Sequence, residues 1–564
     1  MNKLKPKLFS VMKTYSKEQF VKDFIAGIIV AIIALPLSIA LALASGVTPE
    51  KGLYTAIIAG FAISFLGGSR VQIAGPTAAF ATIVASIVAK DGMDGLIVAT
   101  IIAGILLIIM GVLRLGSLIR FIPYTITTGF TLGIAVTILV GQIKDFLGLT
   151  LDSSPVETLE KLEACFECIA TLNWNAVLIG GLSLAILVFW PKVNDKIPAS
   201  LIAVIVAAIL VKVLHIHVNT IGSLYEISSK PPVPHVPSIS LHTVREVIPD
   251  AFTIAILAGI ESLLSCVVSD GMIGSKHRSN MELVAQGAGN MLSAIFGGIP
   301  ATGAIARTAA NVKNGGRTPI AGMVHSVVLL LILVMLMPYA ALIPMPTIAA
   351  ILFVVAYNMS GWKEFVRLIK ISPKSDILVL IATFVLTVVF DLVVAIEIGV
   401  VMAAILFMKR MADVTDVQSW KYIEEEDDLS DDDLSDPENI RLRKVPKHTL
   451  VYEINGPMFF GAADKFMNIS LDSHIKVVVL RMRSVPAMDI NALHTLNDVY
   501  KMCSRKQITL IFSHVQEQPL HMMQKAGFDQ KIGINNFCVN IDSALERADY
   551  LVKSSSHRRA ESKA

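Results

Sequence analysis

Gly67-Gly68-Ser69-Arg70-Val71-Gln72-Ile73-Ala74-Gly75-Pro76-Thr77-Ala78-Ala79-Phe80 sets three glycines, a proline and a threonine inside an otherwise apolar chain. Only about thirteen apolar residues follow, which at ~1.5 Å rise each cover roughly 20 Å of a ~30 Å hydrocarbon core. Far downstream, Gly297-Gly298-Ile299-Pro300-Ala301-Thr302-Gly303 opens an equally short run ending near Asn311. A helix that begins in mid-membrane exposes unpaired backbone N–H groups and the positive end of its dipole. Two such ends at matching places in two halves point to an internal repeat with a substrate site between them. That site would hold an anion without a cationic side chain. Two Gly/Pro-kinked helices in close contact would explain the same residues without a site.

Working outward, apolar runs separated by short polar loops fill residues 24–408. Spans are expected near 24–44, 53–67, 76–89, 95–112, 122–142, 176–190, 198–214, 250–268, 282–296, 302–312, 320–338, 346–358, 376–390 and 391–408. That is about fourteen, several of them shorter than the ~20 residues of a full crossing. The second interruption falls seven spans after the first, and an odd number of spans per half makes the repeat inverted. With the N-terminus inside, the inward loops carry Arg70; Arg114 and Arg120; Lys192 and Lys196; Lys276 and Arg278; Lys313 and Arg317; and Lys363, Arg367, Lys370 and Lys374. The outward loops are poorer in Lys and Arg, the positive-inside pattern, and an even count places both termini in the cytoplasm.

Composition agrees. The 564 residues are 54% hydrophobic and only 16% charged, against about 25% charged for an ordinary soluble chain. Mean hydropathy is +0.66, so much of the surface faces membrane lipid. A net charge of +3, with few aromatics among the basic residues, argues against a nucleic-acid partner. Five cysteines are no disulfide framework, and the isolated Cys165/Cys168 pair has no second pair beside it, so neither metal nor cofactor is expected. The segment 1–23 is basic, but the apolar run after it is long enough to span and leads into further spans, unlike a cleaved signal. No HExxH, GxSxG or other catalytic order occurs, so an enzyme is not expected.

After Lys409-Arg410 the character changes. Residues 409–445 carry an acidic run, Glu424 to Asp428 and Asp431 to Asp433, read as a linker. Residues 446–553 alternate expected strands (Thr449–Ile454, Lys476–Met482, Thr509–Ser513) with helices (Ala462–Ile469, Asn491–Cys503, Pro519–Ala526, Ile541–Tyr550), a small α/β domain. The polar end, 554–564, reads as disordered.

Within the membrane part, Thr77 and Thr302 would sit in the first turns of the two half-helices, where a hydroxyl either caps the helix or touches a ligand. Arg307 lies in an apolar stretch, where a charge is expensive and usually functional; it would add positive charge to the site or snorkel to the cytoplasmic side. Glu261, in Leu257-Ala258-Gly259-Ile260-Glu261-Ser262, is the candidate coupling acid. A carboxylate repels a neighbouring anion, so a site holding both favours the protonated acid and links anion binding to proton uptake. A permanent Glu261–Arg307 pair would remove that link. Ser265, one turn on, would share the site or simply pack. His325 reads as a satisfied interhelical partner.

Leu35-Pro36-Leu37, Gly75-Pro76-Thr77-Ala78-Ala79, Ile260-Glu261-Ser262-Leu263, Gly287-Ala288-Gly289-Asn290 and Phe296-Gly297-Gly298-Ile299-Pro300-Ala301-Thr302 together resemble the SulP family of anion transporters over nearly the whole chain. Asp270-Gly271-Met272, Lys276-His277, Asn280 to Val284 and Ala304-Ile305-Ala306-Arg307 look most like the bacterial aerobic C4-dicarboxylate branch. The resemblance implies an α-helical polytopic membrane protein with a 7+7 inverted repeat, core and gate domains and elevator-like motion. It implies an anion site between the third and tenth helices with contributions from the first and eighth. On this sequence that site comprises Pro36, Thr77, Ala78, Ala79, Phe80, Ala301, Thr302, Gly303 and Arg307, with Glu261 and Ser265 for proton coupling.

An acidic residue at the Glu261 position implies coupling to protons or sodium, and Glu rather than Asp leans toward protons. The implied substrates are sulfate-class anions or C4-dicarboxylates; bicarbonate or chloride transport, or a passive anion channel, is the alternative. A homodimer in the bacterial inner membrane is implied. The C-terminal domain resembles a STAS domain, through Lys476–Met482 and Val485-Pro486-Ala487-Met488-Asp489-Ile490-Asn491. Ile490 and Asn491 stand where a phosphorylatable Ser follows the Asp in anti-sigma factor antagonists. Binding of a cytoplasmic protein partner stays open to the domain, and Asp489 is expected to cap the following helix.

Overall fold

Short polar breaks between long apolar runs yield helices that stop where Gly, Pro or charge interrupts them. A computed structural model describes residues 4–117, 123–151, 155, 157–194, 197–235, 237, 241–390, 392–414, 416–421, 444–460 and 474–561. Arg120, Lys196, the acidic run 424–433 and the helix expected over 462–469 lie outside these residues. The chain divides into two units, Met1–Ala403 and Ala404–Ala564.

The first unit is helical. Its first half runs α1 (Lys17–Ala44), α2 (Pro49–Leu66), a two-residue strand β1 (Ala74–Gly75), α3 (Ala81–Val112), α4 (Tyr124–Leu147), a short α5 (Thr158–Glu167), α6 (Trp174–Val193) and α7 (Ala199–Val213). Its second half runs α8 (Leu241–Ile273), α9 (Ser279–Ile295), β2 (Thr302–Gly303), α10 (Ile305–Lys313), α11 (Pro319–Ala340), α12 (Met345–Met359), α13 (Trp362–Ile371), α14 (Lys374–Val389) and α15 (Leu392–Val414), the last continuing into the second unit. Among the described residues, seven helices are long and apolar enough to cross a membrane by themselves. One of the seven, α3, is interrupted. Gly92, at φ 67° and ψ −168°, breaks α3 into the two pieces expected over 76–89 and 95–112. The expected span 302–312 opens as strand, so α10 is only 9 residues and starts at Ile305.

Packing reveals the repeat. α3 lies against α8 and α9, while α11 lies against α1 and α2. α14 packs on α4, while α6 packs on α12. Exchanging the two halves turns each contact into the other, and the contacts α2–α9, α4–α12 and β1–β2 map onto themselves. With seven crossings per half, the two repeats are inverted, a core group (α1–α3, α8–α11) beside a gate group (α4, α6, α7, α12, α14, α15).

The basic N-terminal segment is docked. Lys7 N donates to Gly67 O at 2.8 Å and Lys7 Nζ to Lys276 O at 2.8 Å, while Arg278 Nη1 donates to Lys5 O at 2.7 Å. Burial, then the neighbouring Arg278 and Arg70 charges, push the Lys7 amine below its usual range. Nearby, buried Asp23 collects donors from both repeats: Tyr15 Oη (3.1 Å), Gln19 Nε2 (3.0 Å), Arg317 N (2.8 Å) and Thr318 Oγ1 (2.6 Å).

The second unit holds a five-stranded sheet in the order β3 (Asp416–Lys421), β4 (Thr449–Asn455), β5 (Val477–Ser484), β6 (Thr509–Ser513), β7 (Phe537–Cys538). β3 pairs antiparallel at the edge and the rest are parallel. Alternate strand residues face opposite layers. Leu450, Val478, Leu480 and Phe512 pack with α16 (Ile490–Arg505), α17 (Glu517–Lys525) and α18 (Phe528–Ile532), whereas Val451, Val477, Val479 and Ile511 pack with α19 (Ile541–Glu561). Two boundaries differ from expectation. β3 lies inside the segment read as linker, because its pairing partner β4 is beyond local sequence. α19 continues to Glu561 through the segment read as a disordered tail. Asp489 caps α16, its Oδ1 accepting from Ala492 N at 2.8 Å.

Asp23→Ala should remove the acceptor of five hydrogen bonds, the Thr318 N–H included, and cost about 3 kcal/mol. The expected result is a fall of several degrees in the thermal midpoint of the purified full chain, followed by light scattering; an unchanged midpoint would refute this account of the N-terminal anchor.

Candidate functional site

The centre of the first unit is a crossing of two extended segments. β1 and β2 pair antiparallel, Ala74 with Gly303 and Gly75 with Thr302. From this crossing a 3-10 turn (Ala78–Phe80) leads into α3, and α10 begins at Ile305. The antiparallel pairing sends the two half-helices away in opposite directions, so both N-terminal ends lie at the crossing, where first-turn N–H groups have no intrahelical partner.

Three of the sequence candidates meet there. Thr302 Oγ1 donates to Glu261 Oε2 at 2.9 Å and Thr77 Oγ1 donates to the same oxygen at 3.0 Å; the two hydroxyls lie 3.4 Å apart. Neither threonine caps its helix by side chain: Thr77 makes no capping bond, and the residue before α10 is Ala304. The hydroxyls serve the carboxylate instead. Ala78, Ala79, Phe80, Ala301 and Gly303 are buried around them. A Cβ on Gly303 would stand 2.2 Å from Gln72 Nε2, which only glycine avoids.

The other candidates are placed differently. Arg307 is 1% exposed and donates from Nη2 to Pro76 O at 3.2 Å, so it braces the chain just before Thr77. Among the described residues no ion pair joins it to Glu261, which removes the permanent pair as an explanation of the acid. Ser265 turns to Thr308 (Oγ to Oγ1, 3.4 Å), whose hydroxyl accepts from Ile73 N at 3.0 Å; it supports the crossing from behind rather than sharing the carboxylate. Pro36 lines an apolar cavity of about 370 Å³ with Leu201, Val204, Ile332 and Leu336 and joins no polar contact of the cluster. His325 is fully buried with neither ring nitrogen hydrogen-bonded, contrary to the expected satisfied partner. A further cavity of about 240 Å³ begins at Ala81, next to Phe80, and reaches Gln142 and Asp145 of α4 and Lys161 of α5.

Sequence reasoning passed over the residues that hold the crossing in place. Glu282 accepts four hydrogen bonds: Gly68 N (2.8 Å), Ser69 N (3.0 Å), Gln72 Nε2 (2.8 Å) and Gln286 Nε2 (3.0 Å). Asn290 clamps Ala301, accepting from its N at 2.8 Å and donating to its O at 2.9 Å. Ser262 Oγ accepts from Gly303 N at 3.0 Å, and Thr55 Oγ1 accepts from Ile299 N at 2.7 Å. A signal was available: Glu282, Gln286 and Asn290 recur every four residues, a fully buried polar stripe along one face of α9.

Chemically, this is a carboxylate satisfied by two hydroxyl donors, placed where two positive helix ends converge, with a guanidinium behind one of them. Comparison with known proteins identifies relatives of the whole chain. A model of the sulfate permease family matches residues 20–383 and one of the STAS domain matches 439–546. The Bacillus subtilis (strain 168) protein named "Putative sulfate transporter YvdB" is 39% identical over 531 residues, covering 93% of this chain and 97% of that protein. The bicarbonate transporter BicA of Picosynechococcus sp. (strain ATCC 27264 / PCC 7002 / PR-6) is 30% identical over 93% of this chain and 94% of its own length. The solved murine Solute Carrier 26 family member A9 anion transporter, in its inward-facing state, superimposes with a TM-score of 0.86 over 96% of this chain and 94% of that one. At 17% identity that likeness is one of fold.

Thr302→Val deletes, without changing side-chain volume, the hydroxyl that now bonds Glu261 and that a bound anion would take over. A hydrogen bond to a charged group is worth about 1.5–3 kcal/mol, so the apparent affinity for a bound anion should fall roughly ten-fold or more. Anion protection of the purified chain against thermal unfolding measures it, and unchanged protection would exclude Thr302 from the site.

Proposed function

The chain belongs to the sulfate permease family and carries a C-terminal STAS domain, and from that premise we propose that it is a secondary active transporter taking up a small oxyanion together with a proton. At the coarser level it is a multi-pass membrane anion transporter, and its named relatives are transporters rather than enzymes. The observation that carries the finer reading is the pair of hydroxyl bonds that Thr77 and Thr302 give to Glu261.

An ionised carboxylate only accepts hydrogen bonds, whereas a protonated one also donates. With Glu261 ionised, both threonine hydroxyls are spent on it and its charge repels an entering anion. Protonation removes the repulsion and frees the hydroxyls to turn toward the anion, beside the N–H groups of the two half-helices. Proton and anion then enter together. Arg307 contributes by bracing Pro76, and its charge adds to the local potential. The gate group and the core group would move past each other around this fixed site.

Sulfate-class anions are the substrates we favour, supported by the name of the relative at 39% identity. Bicarbonate is the second reading, supported by the name of the relative at 30%, and it brings sodium coupling or exchange with it. Neither of these two relatives supports the dicarboxylate branch. We place the protein in a bacterial inner membrane as a homodimer with both termini cytoplasmic, an orientation supported by the Lys and Arg distribution of its loops. The STAS domain would bind a protein partner there, next to Asp489, where Ile490 and Phe460 are exposed.

Proteoliposomes holding the full chain should take up labelled sulfate saturably, faster with an inward proton gradient. Glu261→Gln keeps the shape and removes the titrating group, so uptake should lose at least ten-fold of its dependence on the gradient, while anion exchange at equal pH persists. Proton-driven uptake that survives in the Gln protein would sink the coupling assignment. Bicarbonate and succinate, with and without sodium, distinguish the substrates.

A further inference from the structure

Buried polar groups in native proteins are almost always hydrogen-bonded, and each exception calls for a cause. Two exceptions fall along one seam of the core group. Arg307 spends Nη2 on the Pro76 carbonyl but leaves Nε and Nη1 unpartnered, and His325, 0% exposed, leaves both Nδ1 and Nε2 unpartnered. Their surroundings are one seam. On α11, Gly322 abuts Ser64 Oγ and Ile73, and Ser326 donates to Ala56 O at 3.2 Å; His325 stands between these two positions. A Cβ on Gly75 would meet Arg307 Nη1 at 2.5 Å and Ala56 Cβ at 3.5 Å, so the guanidinium, β1 and that part of α2 are in contact.

We propose that His325 is a positioning residue for anion binding: a ring nitrogen accepts the second Arg307 N–H through one bridging water and so holds the guanidinium against the Pro76 carbonyl. A neutral imidazole supplies one acceptor and one donor, which suits a guanidinium that has donors to spare. Pro76 immediately precedes Thr77, so whatever fixes Arg307 also fixes where the Thr77 hydroxyl stands relative to Glu261. His325 acts through Arg307 and touches neither substrate nor carboxylate. The inference rests on the reading of Thr77, Glu261 and Thr302 as the anion site.

The test compares His325→Phe, which fills the space without a nitrogen, with His325→Gln, which keeps an acceptor and a donor. Full chains are reconstituted and uptake of sulfate, bicarbonate and succinate is measured with the thermal midpoint. For the anion the wild type carries, Phe is expected to raise KM about ten-fold with the maximal rate within about two-fold, as loss of one bond to a charged group implies. Gln is expected to restore KM to within about three-fold, and Phe is expected to add nothing in an Arg307→Ala background. A Phe protein with wild-type KM, or one that loses stability and maximal rate at unchanged KM, overturns the proposal. If the Phe protein does not fold, the Gln shift in KM is compared with and without Arg307→Ala; equal shifts overturn it. A wild type that carries none of the three anions brings down the site reading and this inference together, whereas a functional wild type matched by Phe brings down this inference alone.

Discussion

In lipid every backbone N–H and C=O must find its partner inside the protein, and the β1–β2 crossing is where this chain departs from helices that satisfy themselves. Pairing Ala74 with Gly303 and Gly75 with Thr302 meets part of the demand. Side chains meet more of it. Ile73 N is taken by Thr308, Gly303 N by Ser262, Ile299 N by Thr55, Val71 O by Asn311, both groups of Ala301 by Asn290, and Gly68 N and Ser69 N by Glu282. The polar residues buried in the core group are therefore the cost of interrupting two helices. The interruption is what brings two positive helix ends together.

This dependence explains why much of the architecture was readable from the chain and the site only in outline. Gly, Pro and charge end helices locally, so nearly every expected span has its helix, even where Gly92 divides α3. Short apolar runs after Pro76 and Pro300 announced the interruptions, and Glu261 stood out as a charge in an apolar run. What remained hidden depends on partners remote in sequence. Thr77 was read as a cap or a ligand contact because nothing near it indicates that its hydroxyl meets Glu261 of α8. Ser265 shares a helical face with Glu261, yet one turn along that face meets Thr308 instead. β3 has too little alternation to be seen without β4 beside it.

Glu282 and Glu261 show how surroundings divide two acids in one scaffold. Glu282 accepts four hydrogen bonds, two of them from main-chain N–H groups and two from amide side chains, so it is fixed in place by four donors. Glu261 accepts two, both from hydroxyls that rotate freely enough to find another acceptor. Deleting the Glu282 carboxyl group would strand the N–H groups of Gly68 and Ser69. Removing charge from Glu261 strands nothing. An acid that is to take up and release a proton in each cycle has to be of the second kind.

The repeat supplies symmetry that the chemistry does not follow. With Ala74 facing Gly303 and Gly75 facing Thr302, the two-fold operation relates Ala74 to Thr302 and Gly75 to Gly303. Counting on, Ala79 stands in the first half where Arg307 stands in the second, so one half-helix carries a guanidinium and the other a methyl group. The second repeat thus contributes Glu261, Thr302 and Arg307, and the first contributes Thr77 alone. A symmetric scaffold allows two mirrored packings of core on gate, which alternating access requires. Identical chemistry on both half-helices would present the anion with two equivalent places and no preferred acid. On the proposed reading, concentrating the acid, one hydroxyl and the cation in one repeat would give a single site, with the opposing helix end contributing its dipole from the other side.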